Sequence, residues 1–545
     1  MNWRSELFAD ASGYNVYLPA FLLYHWDGRR FPPDIENKVG AAFKINPGSG
    51  FIDIKVTCGV AYLQFPFFVA ANVLTSMNHE KVDGYSYYNF RVLDVCGSFY
   101  LWLGLFFVFS MLRRRFSLFI AVAATCFIGF GSNVFFSGFI QPGFSHTYSF
   151  VVFAALLWYF DRISELPKYT FKHVCILGLL YGLAVLIRPT NIFIGLLFLF
   201  WNTFGWIDIK LRFKKLIRGR NLLALLLPFF LVMLPQMLYW YFTFGTLVYY
   251  SYPGEGFTHW QSPRISSLWF EPENGLFPYA PILLLIIIGI ILSIVKKQKG
   301  SLLPLLFFVI MTYVFASWHD TLYGGSFGCR PFAEYFVFFA LPLASLLQFV
   351  RPKLLKGFIV FVALVCVAFT IKMTLIYNDN CFFGNKRWNW KEYISLIQRG
   401  VRTTTQELED GWVTSKNIVE TTDPHHGKHV FAMNKKTEFT PLLLDENYMK
   451  GTFSPYRYAD VSIDIKADSA IVALLVHTID SCGKQLKWEA LDIEYDSCRL
   501  DQWQTIHFYD VWIGGDFDKN FSMKYSIWNR NKRTFCFDNL SLFLH

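Results

Sequence analysis

Residues 172–203 read KHVCILGLLYGLAVLIRPTNIFIGLLFLFWNT, and this stretch decides the class of fold. Two apolar runs, 172–187 and 189–203, are separated only by Arg188 and the first turn that Pro189 begins. Each run approaches the ~20 residues that an α-helix needs to cross the hydrocarbon of a bilayer. Because proline restricts the residue before it and cannot continue a helix, we predict two short crossings or a bent hairpin, with Arg188 at the break.

The composition of the whole chain is that of a membrane protein. Of its 545 residues, 54% are hydrophobic, 19% are aromatic and only 17% are charged, and the mean hydropathy is +0.33. An average soluble domain has about 25% charged residues, so an ordinary soluble enzyme, a disordered chain and a small disulfide scaffold are excluded. The net charge of +10 does not indicate a nucleic-acid partner, because most basic clusters adjoin apolar runs.

Similar apolar runs recur over residues 88–377 and predict about ten membrane spans. These runs cover residues 88–112, 116–136, 144–161, 172–187, 189–203, 221–243, 279–295, 301–317, 332–349 and 356–377. The sequence therefore predicts three parts: an outer loop with an interfacial helix over residues 1–87, a polytopic helical domain over 88–377, and a soluble domain over 378–545.

Lysine and arginine predict the orientation, because cytoplasmic loops carry an excess of these residues. Alternate connections are basic, and their members are Arg113, Arg114, Arg115, Arg162, Lys168, Lys172, Lys210, Arg212, Lys214, Lys215, Arg218, Arg220, Lys296, Lys297, Lys299, Arg351, Lys353 and Lys356. The intervening connections hold only Arg188, Arg264 and Arg330. We therefore expect both chain ends outside, which requires a further helix upstream of Met1.

The apolar stretch 56–74 is a special case. Counting it as a crossing would invert every later loop and place the arginine clusters outside. We therefore predict a helix that lies at the outer membrane interface, where Pro66 and the flanking aromatic residues fit. An ordinary span is the alternative.

After Tyr377 the charges are spread throughout the chain, and alternating stretches such as 458–465 and 470–477 predict short antiparallel strands. The ending FDNLSLFLH, residues 537–545, resembles the last strand of a carbohydrate-binding-module jelly roll. The predicted fold class is thus a polytopic α-helical membrane protein with a C-terminal all-β, jelly-roll-like domain. A disulfide between Cys482 and Cys498 could form there, whereas the scattered cysteines contain no CxxC pair that would favour zinc.

The outward connections are long and rich in aromatic and polar residues, so we expect the chemistry on the outer face. Four segments stand out: FADASGYNVYLPAFLLYHWD (8–27), SGFIQPGFSHTYSF (137–150), YYSYPGEGFTHW (249–260) and SWHDTLYGGSFGCRPFAEYF (317–336). Their glycines allow close backbone packing, and their polar side chains supply hydrogen bonds at the membrane boundary. Together they could cover a cavity that opens to lipid.

Five motifs in order along residues 1–377 carry a family resemblance. They are an acidic residue followed by GYxxYLPA, then GVAYLQFPFF, DGYSYYNFR, LAVLIRPTN and WxxxxYGGSFGxRxFxE. This pattern resembles polytopic glycosyltransferases of the GT-C fold, related to the family 39 protein mannosyltransferases and the lipid A aminoarabinose transferase.

The resemblance implies a bacterial inner (cytoplasmic) membrane enzyme with an extracytoplasmic C-terminal domain. Such an enzyme moves a sugar from a polyprenyl-phosphate carrier to an acceptor hydroxyl on the outer face, usually with inversion at the anomeric carbon. The donor is a lipid-linked sugar, and the acceptor is a glycan, a lipid or a protein side chain. No nucleotide sugar is needed.

Asp10 matches the catalytic carboxylate of the family. Because a phosphate leaving group is already stabilised as an anion, the reaction mainly needs a base for the incoming hydroxyl. The structural alternative for Asp10 is a helix N-cap or a loop position. Asp27 is a weaker candidate for the base, and Asp10 and Asp27 could together hold a divalent cation with phosphate oxygens.

Arg188 is the most informative single residue on physical grounds. An arginine at the centre of a span costs roughly 2.5 to 3.5 kcal/mol on insertion scales, so it needs an anionic partner. We predict the carrier phosphate, with an ion pair to Glu255 or Asp320 as the alternative. Arg330 has the same pair of interpretations, with Glu334 one helical turn later as its expected partner.

The remaining candidates for substrate binding are Lys55, His146, Glu255 and His319. Lys55 could approach the carrier phosphate by family analogy, or it could simply extend its amine to the membrane surface. His146 and His319 could orient sugar hydroxyls or the phosphate, or they could be ordinary interfacial histidines.

Two other functions fit parts of the pattern. A transporter or flippase of lipid-linked sugars would also need an aromatic cavity and membrane-facing arginines. Such a protein should in addition contain inverted repeats and charges near the bilayer midplane, and neither is evident in the sequence. A non-catalytic envelope assembly protein would use the β domain for glycan binding.

Overall fold

A computed structural model of the protein describes residues 7–33, 35–39, 41–252, 254–321, 323, 327–379, 389–398, 406–407, 418–420, 429–433, 439, 444–448, 458–481, 484–493, 495, 500–512 and 521–544. The chain divides into two compact units, of which the first comprises Met1–Leu375 and Phe383–Asn389 and the second comprises Ile376–Phe382 and Trp390–His545. The first unit is almost entirely helical, and the second consists mainly of strands.

The helices of the described residues are α1 (Asp10–Asn15), α2 (Tyr17–Leu22), α3 (Ile35–Lys38), α4 (Gly59–Met77), α5 (Tyr87–Arg113), α6 (Leu118–Phe130), α7 (Val134–Phe139), α8 (Ser145–Ile163), α9 (Phe171–Ile187), α10 (Leu197–Phe200), α11 (Trp206–Leu216), α12 (Gly219–Phe244), α13 (Ile265–Phe270), α14 (Leu276–Tyr279), α15 (Leu283–Val295), α16 (Leu302–Ala316), α17 (Phe336–Phe349), α18 (Lys353–Asp379) and α19 (Trp390–Gln398). Short 3₁₀ helices cover Gly28–Arg30, Pro189–Leu196 and Arg330–Tyr335.

Five helical stretches of the described chain are long and apolar enough to cross a membrane, and they are Gly59–Met77, Tyr87–Arg113, Gly219–Phe244, Arg330–Phe349 and Lys353–Tyr377. Shorter apolar helices cover Leu118–Phe130, Phe171–Ile187, Pro189–Phe200, Leu283–Val295 and Leu302–Ala316. A multi-pass helical membrane fold is therefore present, and the predicted number of about ten spans stays a prediction. Helix α4, which was expected to lie at the outer interface, has the length and composition of a membrane span and packs against α5 and α9. The interfacial position and the ordinary span both stay predictions for this helix.

Local sequence explains where the helices around the break at Arg188 begin and end. Thr170 caps α9 by accepting a hydrogen bond from the His173 amide. The helix ends because Pro189 forces the residue before it into extended backbone, and Arg188 has φ −150° and ψ 125°. A 3₁₀ helix then starts at Pro189, so the predicted break is confirmed as a change of helix type.

Glycines bring α9 close to α12. A Cβ atom added at Gly182 would lie 2.9 Å from the Phe229 carbonyl oxygen, and one at Gly178 would meet the Leu225 carbonyl. Small residues at helix contacts are the usual means of close packing within membranes, where the hydrophobic effect does not drive helices together. The α9–α12 contact therefore fixes α9, the helix that ends next to Arg188.

A two-stranded hairpin precedes α4 and positions Lys55. Its strands are β1 (Phe43–Ile45) and β2 (Ile52–Ile54), with Lys44 opposite Asp53. The hairpin loop is closed by Gly50, whose positive φ of 74° suits glycine and whose amide donates to the Asn46 carbonyl at 2.8 Å. Lys55 follows β2 directly, so its backbone belongs to a rigid element.

The second unit contains two antiparallel sheets. Its strands are β3 (Gln406–Glu407), β4 (Ile418–Glu420), β5 (His429–Met433), β6 (Leu444–Tyr448), β7 (Tyr458–Ala467), β8 (Ala473–Ser481), β9 (Lys484–Asp492), β10 (Gln504–Trp512), β11 (Phe521–Asn529) and β12 (Phe535–Leu544). One sheet has the order β10-β7-β12-β5-β4, with β3 beside β12, and the other has the order β6-β11-β8-β9.

One apolar core joins these two sheets. Ile463 and Phe537 come from the larger sheet, Leu475 and Ile527 come from the smaller sheet, and all four are fully buried in the same cluster. The predicted strands in this part of the chain are thus confirmed as a β-sandwich. The suggested disulfide between Cys482 and Cys498 lies outside the described residues.

Candidate active site

A strained turn places Asp10 at the start of α1. Ala9 has a φ of 51°, which is unusual for a residue other than glycine, and its amide donates to the Val39 carbonyl at 3.2 Å. The Ser12 hydroxyl donates to the Ala9 carbonyl at 2.6 Å and accepts from the Ala42 amide at 3.0 Å. These contacts hold the turn against its strain and leave the Asp10 side chain one-third exposed, at 33%.

Arg330 reaches Asp10 from the far end of the chain. Its Nη2 donates to Asp10 Oδ2 at 3.0 Å, and its guanidinium lies 5.2 Å from the centroid of the Phe144 ring. Cys329 precedes it with a φ of 44°, and Pro331 follows as the start of the 3₁₀ helix. Asp10 and Arg330 therefore each follow a residue with a positive φ, which is Ala9 before Asp10 and Cys329 before Arg330.

Arg188 lies at the ends of α8 and α9 and contacts the buried Glu334. Arg188 Nη1 donates to Ser145 Oγ at 3.2 Å, and Arg188 Nε lies 3.8 Å from Glu334 Oε1. The Arg188 side chain is 21% exposed, whereas Glu334 is 0% exposed. Burying a carboxylate without a nearby cation would cost free energy. The contact with Arg188 therefore allows the Glu334 carboxylate to be buried.

His146 is the second partner of Glu334. Its Nδ1 lies 2.9 Å from Glu334 Oε2, and Arg188 Nη1 lies 3.2 Å from its Nε2. Because a guanidinium group only donates hydrogen bonds, Nε2 accepts from Arg188, and Nδ1 carries the proton that it donates to Glu334. The buried His146 and Glu334 thus both contact the guanidinium of Arg188, whose side chain stays partly exposed.

Tyr14 connects the Asp10 and Arg188 groups. This side chain is buried, its hydroxyl forms a hydrogen bond with Ser145, and the charges of Asp10, Arg188 and Arg330 all act on it. Burial raises the pKa of Tyr14 above its ordinary value, so the phenol stays protonated at neutral pH. One carboxylate and two arginines therefore surround one neutral phenol.

A second ion pair borders this group. Lys55 Nζ donates to Glu255 Oε1 at 2.6 Å and lies 5.0 Å from the centroid of the Tyr252 ring. Burial raises the pKa of Tyr252, and the charges of Asp10 and Arg188 both act on its hydroxyl. The Lys55–Glu255 pair is therefore adjacent to the Asp10–Arg188 group, with Tyr252 between them.

His319 is attached to the same border. Its Nδ1 accepts a hydrogen bond from the Gly256 amide at 3.3 Å, and its own amide donates to the Gly256 carbonyl at 2.8 Å. Because Gly256 directly follows Glu255, His319 fixes the backbone that presents the carboxylate. Its ring also contacts Trp318, with centroids 4.9 Å apart.

The structure therefore brings the predicted site residues into one region, although their roles in binding and catalysis stay predictions. These residues are Asp10, Lys55, His146, Arg188, Glu255, His319 and Arg330. Within the described residues, no group of three or more His, Cys, Asp or Glu side chains could hold a metal ion. Asp27, the suggested second ligand, pairs with Arg29 at 2.8 Å.

Two ion pairs that the sequence suggested as structural alternatives to phosphate binding differ from those in the structure. Arg330 pairs with Asp10 instead of Glu334, and Arg188 pairs with Glu334 instead of Glu255 or Asp320. For Arg330 the reason is the 3₁₀ helix that begins at this residue, because its tighter turn does not align residues four apart as an α-helix does.

Sequence reasoning missed Tyr14, Ser145 and Glu334 as members of the site. A signal for Glu334 was present, because an ionisable residue next to the apolar run 335–349 is expensive and usually functional. Tyr14 stood inside the GYxxYLPA motif, but nothing in the sequence separated it from Tyr17, whose hydroxyl donates to the Val56 carbonyl at 2.7 Å.

No protein-family model matches the sequence, and no curated protein is similar enough to count as a relative. Three solved structures show the kind of fold to which the chain is similar. ArnT from Cupriavidus metallidurans is 12% identical over 71% of this chain and 63% of its own length, with a TM-score of 0.42. The Archaeoglobus fulgidus oligosaccharyltransferase AglB, solved with an inhibitory peptide and a dolichol-phosphate, is 14% identical over 63% and 49%, with a TM-score of 0.37. The arabinosyltransferase EmbB from Mycobacterium smegmatis is 10% identical over 88% and 60%, with a TM-score of 0.26.

These proteins are GT-C fold glycosyltransferases, the class of fold that the motifs in this sequence resemble. The chain spans less than two thirds of the length of each. Because the TM-scores lie below 0.5, the function of this chain has to be argued from its own side chains.

Proposed function

We propose that this protein is a membrane glycosyltransferase that moves a sugar from a polyprenyl-phosphate carrier to an acceptor hydroxyl on the extracytoplasmic face. The observation that carries the proposal is the grouping of Asp10, Arg188 and Arg330 around Tyr14. A single carboxylate beside two guanidinium groups supplies a base and an anion site within one small volume. Transfer from a phosphate carrier requires both.

In the proposed reaction, Asp10 accepts the proton of the acceptor hydroxyl while the acceptor oxygen attacks the anomeric carbon. The bond between that carbon and the phosphate oxygen breaks, and the electron pair leaves with the polyprenyl phosphate. Guanidinium groups suit phosphate because their donors match two of its oxygens at once. Arg330 has five N–H donors, so it can bind the phosphate and still hold Asp10 in place.

Lys55 and Tyr252 support the same proposal from the border of the site. Lys55 is one-third exposed and paired with Glu255, so its amine can turn towards a phosphate at little cost. Tyr252 presents an aromatic ring beside the charged group, and such rings commonly pack against the apolar faces of sugars. We propose that these two residues contact the donor.

We further propose that the sandwich in the second unit is a jelly roll outside the membrane that binds glycan or presents the acceptor. Its support is the strand order. From β5 to β12 the chain passes from one sheet to the other at each step except between β8 and β9. Repeated crossing of this kind is typical of double-sheet jelly rolls.

The variant Asp10→Asn tests the function most directly. The amide keeps the size of the carboxylate but cannot accept the proton, so transfer should fall by ~10² to 10⁴ while carrier binding is nearly unchanged. The assay is sugar transfer from polyprenyl-phosphate sugars by the purified full chain, together with carrier binding. Asp53→Asn is the matched control, because Asp53 lies in the same outer segment on β2, opposite Lys44, and belongs to none of the contacts of the candidate site.

A loss of at most a few-fold in Asp10→Asn would exclude Asp10 as the base, and Asp27→Asn would then be the next variant. Absence of transfer from every polyprenyl-phosphate sugar with the wild-type protein, despite binding of the carrier, would contradict the enzymatic proposal. A flippase would instead move the lipid-linked sugar across vesicles without changing its bonds.

A further inference from the structure

Helix α11 lies far from the proposed active site. The site includes Ser145 and His146 at the start of α8, whereas Asp161 near the end of α8 lies about 24 Å further along the helix axis. Asp161 is buried and pairs with Arg114 and Arg115, and the Trp201 indole donates to it at 3.0 Å. α11 begins five residues after Trp201, so it belongs to this opposite end.

The exposed surface of α11 suits neither water nor the hydrocarbon of a membrane. Trp206 is 67% exposed, Ile207 is 74% exposed and Leu211 is 61% exposed, which is unfavourable in water. Lys210 and Lys214 lie on the same exposed surface, and their charges would be costly deep in the bilayer. A helix with this mixture is stable in the headgroup layer, where its apolar side chains reach the acyl chains and its amines stay at the phosphates.

The cations of this segment have few acidic neighbours. Between residues 204 and 220 the only acidic residue is Asp208. Within the described part of the chain, no ion pair is formed by the basic residues Lys210, Arg212, Lys214, Lys215, Arg218 and Arg220. Asp161, the buried acidic residue at this end, already holds two arginines.

Aromatic rings take the place of carboxylates for several of these cations. Lys210 Nζ lies 5.5 Å from the Trp206 ring centroid, Arg212 lies 5.3 Å from that of Phe160, and Lys215 Nζ lies 4.0 Å from that of Tyr169. A ring stabilises a cation without neutralising its charge. Burial of the Lys215 amine lowers its pKa, and the positive charge of the buried Arg212 lowers it further. The segment is therefore a concentrated positive surface.

We propose that α11 and the first turn of α12 form an interfacial site for anionic phospholipid headgroups, with Lys210, Lys214, Arg218 and Arg220 as the phosphate-facing residues. The occupant is a lipid and not free phosphate, because the exposed Trp206, Ile207 and Leu211 require an apolar partner beside the anions. The inference does not rest on glycosyl transfer. It would hold for any function of the distant site.

The test uses the full chain and phosphatidylglycerol as the probe. Native mass spectrometry of the protein from mixed micelles of phosphatidylglycerol and phosphatidylcholine should show retention of phosphatidylglycerol, and inorganic phosphate should not compete. A photoreactive phosphatidylglycerol should cross-link to residues 206–220. Each juxtamembrane cation is worth about fivefold in binding to an anionic surface, so the loss of three in Lys210→Gln/Lys214→Gln/Arg218→Gln should lower the retention by on the order of 100-fold.

The matched control is Arg351→Gln/Lys353→Gln/Lys356→Gln, which removes three charges at the start of α18, and it should keep the lipid preference. High salt should weaken the retention in the wild-type protein, because the Debye length falls to about 3 Å at 1 M. Equal loss in both triple variants, equal retention of the two lipids, or cross-links that map outside 206–220 would each overturn the proposal. Cross-link mapping needs only the wild-type chain, so it stays decisive if a variant does not fold.

Discussion

At the scale of single residues, Arg188 is the clearest case of a side chain whose neighbours define its role. It contacts Ser145, His146 and Glu334, all of which are buried, and its own side chain remains one-fifth exposed. The exposed remainder of the guanidinium is where we expect the carrier phosphate.

Replacing Arg188 by Ala should weaken carrier binding at least tenfold and abolish most transfer, because a charge-assisted contact to phosphate is lost. Arg188→Lys should recover part of the activity, since it keeps the charge but not the fork of donors. Carrier binding and transfer are measured on protein that elutes as a single species in detergent. Arg264→Ala, which removes an exposed arginine on the same predicted side, should behave as wild type. Unchanged carrier affinity in folded Arg188→Ala would favour a structural role.

Tyr14 gives a second prediction at this scale. Its hydroxyl lies among Asp10, Ser145 and the two arginines, and burial keeps it protonated by raising its pKa. Tyr14→Phe should therefore lower the transfer rate by about 2- to 10-fold, the value of one hydrogen bond between neutral groups, without unfolding the protein. Rates are compared with those of Tyr24→Phe, whose hydroxyl donates to the Asp83 carbonyl at 2.7 Å outside the site.

The pH dependence checks the same residue. Burial in the folded protein raises the pKa of Tyr14 above its ordinary value near 10. The Tyr14 phenol should therefore stay protonated at every pH below about 10. Below about pH 10, the wild-type rate should therefore show no decline caused by loss of the Tyr14 proton. The pH dependence of the rate in Tyr14→Phe should be the same as in the wild type over this range. Equal losses in Tyr14→Phe and Tyr24→Phe would mean that the Tyr14 hydroxyl has no special place in the site.

At the scale of elements, the site is built from the ends of helices. Asp10 begins α1, His146 is the second residue of α8, Arg188 follows the last residue of α9, and Arg330 begins a 3₁₀ helix. Helix ends have exposed backbone groups and can change direction, so side chains from several helices converge there. The sequence indicated the break at Arg188 through Pro189, but it did not indicate that the other ends would meet it.

The contact between α4 and α9 should control the position of Arg188. A Cβ atom added at Gly59 would lie 2.5 Å from the carbonyl carbon of Leu186, two residues before Arg188. Gly59→Ala should therefore push the end of α9 away, destabilise the protein by about 1 to 3 kcal/mol and lower transfer. The melting temperature in detergent and the transfer rate measure both effects.

Gly357→Ala is the control for this variant, because a Cβ atom added at Gly357 in α18 meets nothing within 4 Å. That substitution should leave the melting temperature unchanged or raise it, since alanine favours a helix. If Gly59→Ala melts and reacts like the wild type, α9 does not depend on this close contact.

At the scale of the whole molecule, the chain consists of a helical unit with an apolar exterior and a β-sandwich unit with its own core. The composition changes after Tyr377, because a core that closes without lipid requires a different pattern of apolar residues, and the three predicted parts of the chain stay a prediction. The orientation of the two units in the membrane stays a prediction from the basic loops.

Reporter fusions test that orientation. Alkaline phosphatase fused after Tyr377 should be active, because we expect this point to lie outside the cytoplasm. Fluorescent protein fused near Lys215 or Lys297 should fold and fluoresce in the cytoplasm. The reverse pattern would place the basic loops outside, and it would also remove Asp10 and Arg188 from the face where the proposed chemistry takes place.

The sequence by itself determined the features that depend on local composition. Apolar length gave the membrane class, Pro189 gave the break after α9, alternation gave the strands, and the motif order gave the family resemblance. Tertiary structure alone decided which charges pair. Asp10 and Arg330 are 320 residues apart and His146 and Glu334 are 188 residues apart, so their distances depend on helix packing. The burial that makes Glu334 demand two partners is likewise a property of the packed helices and not of the residues beside it.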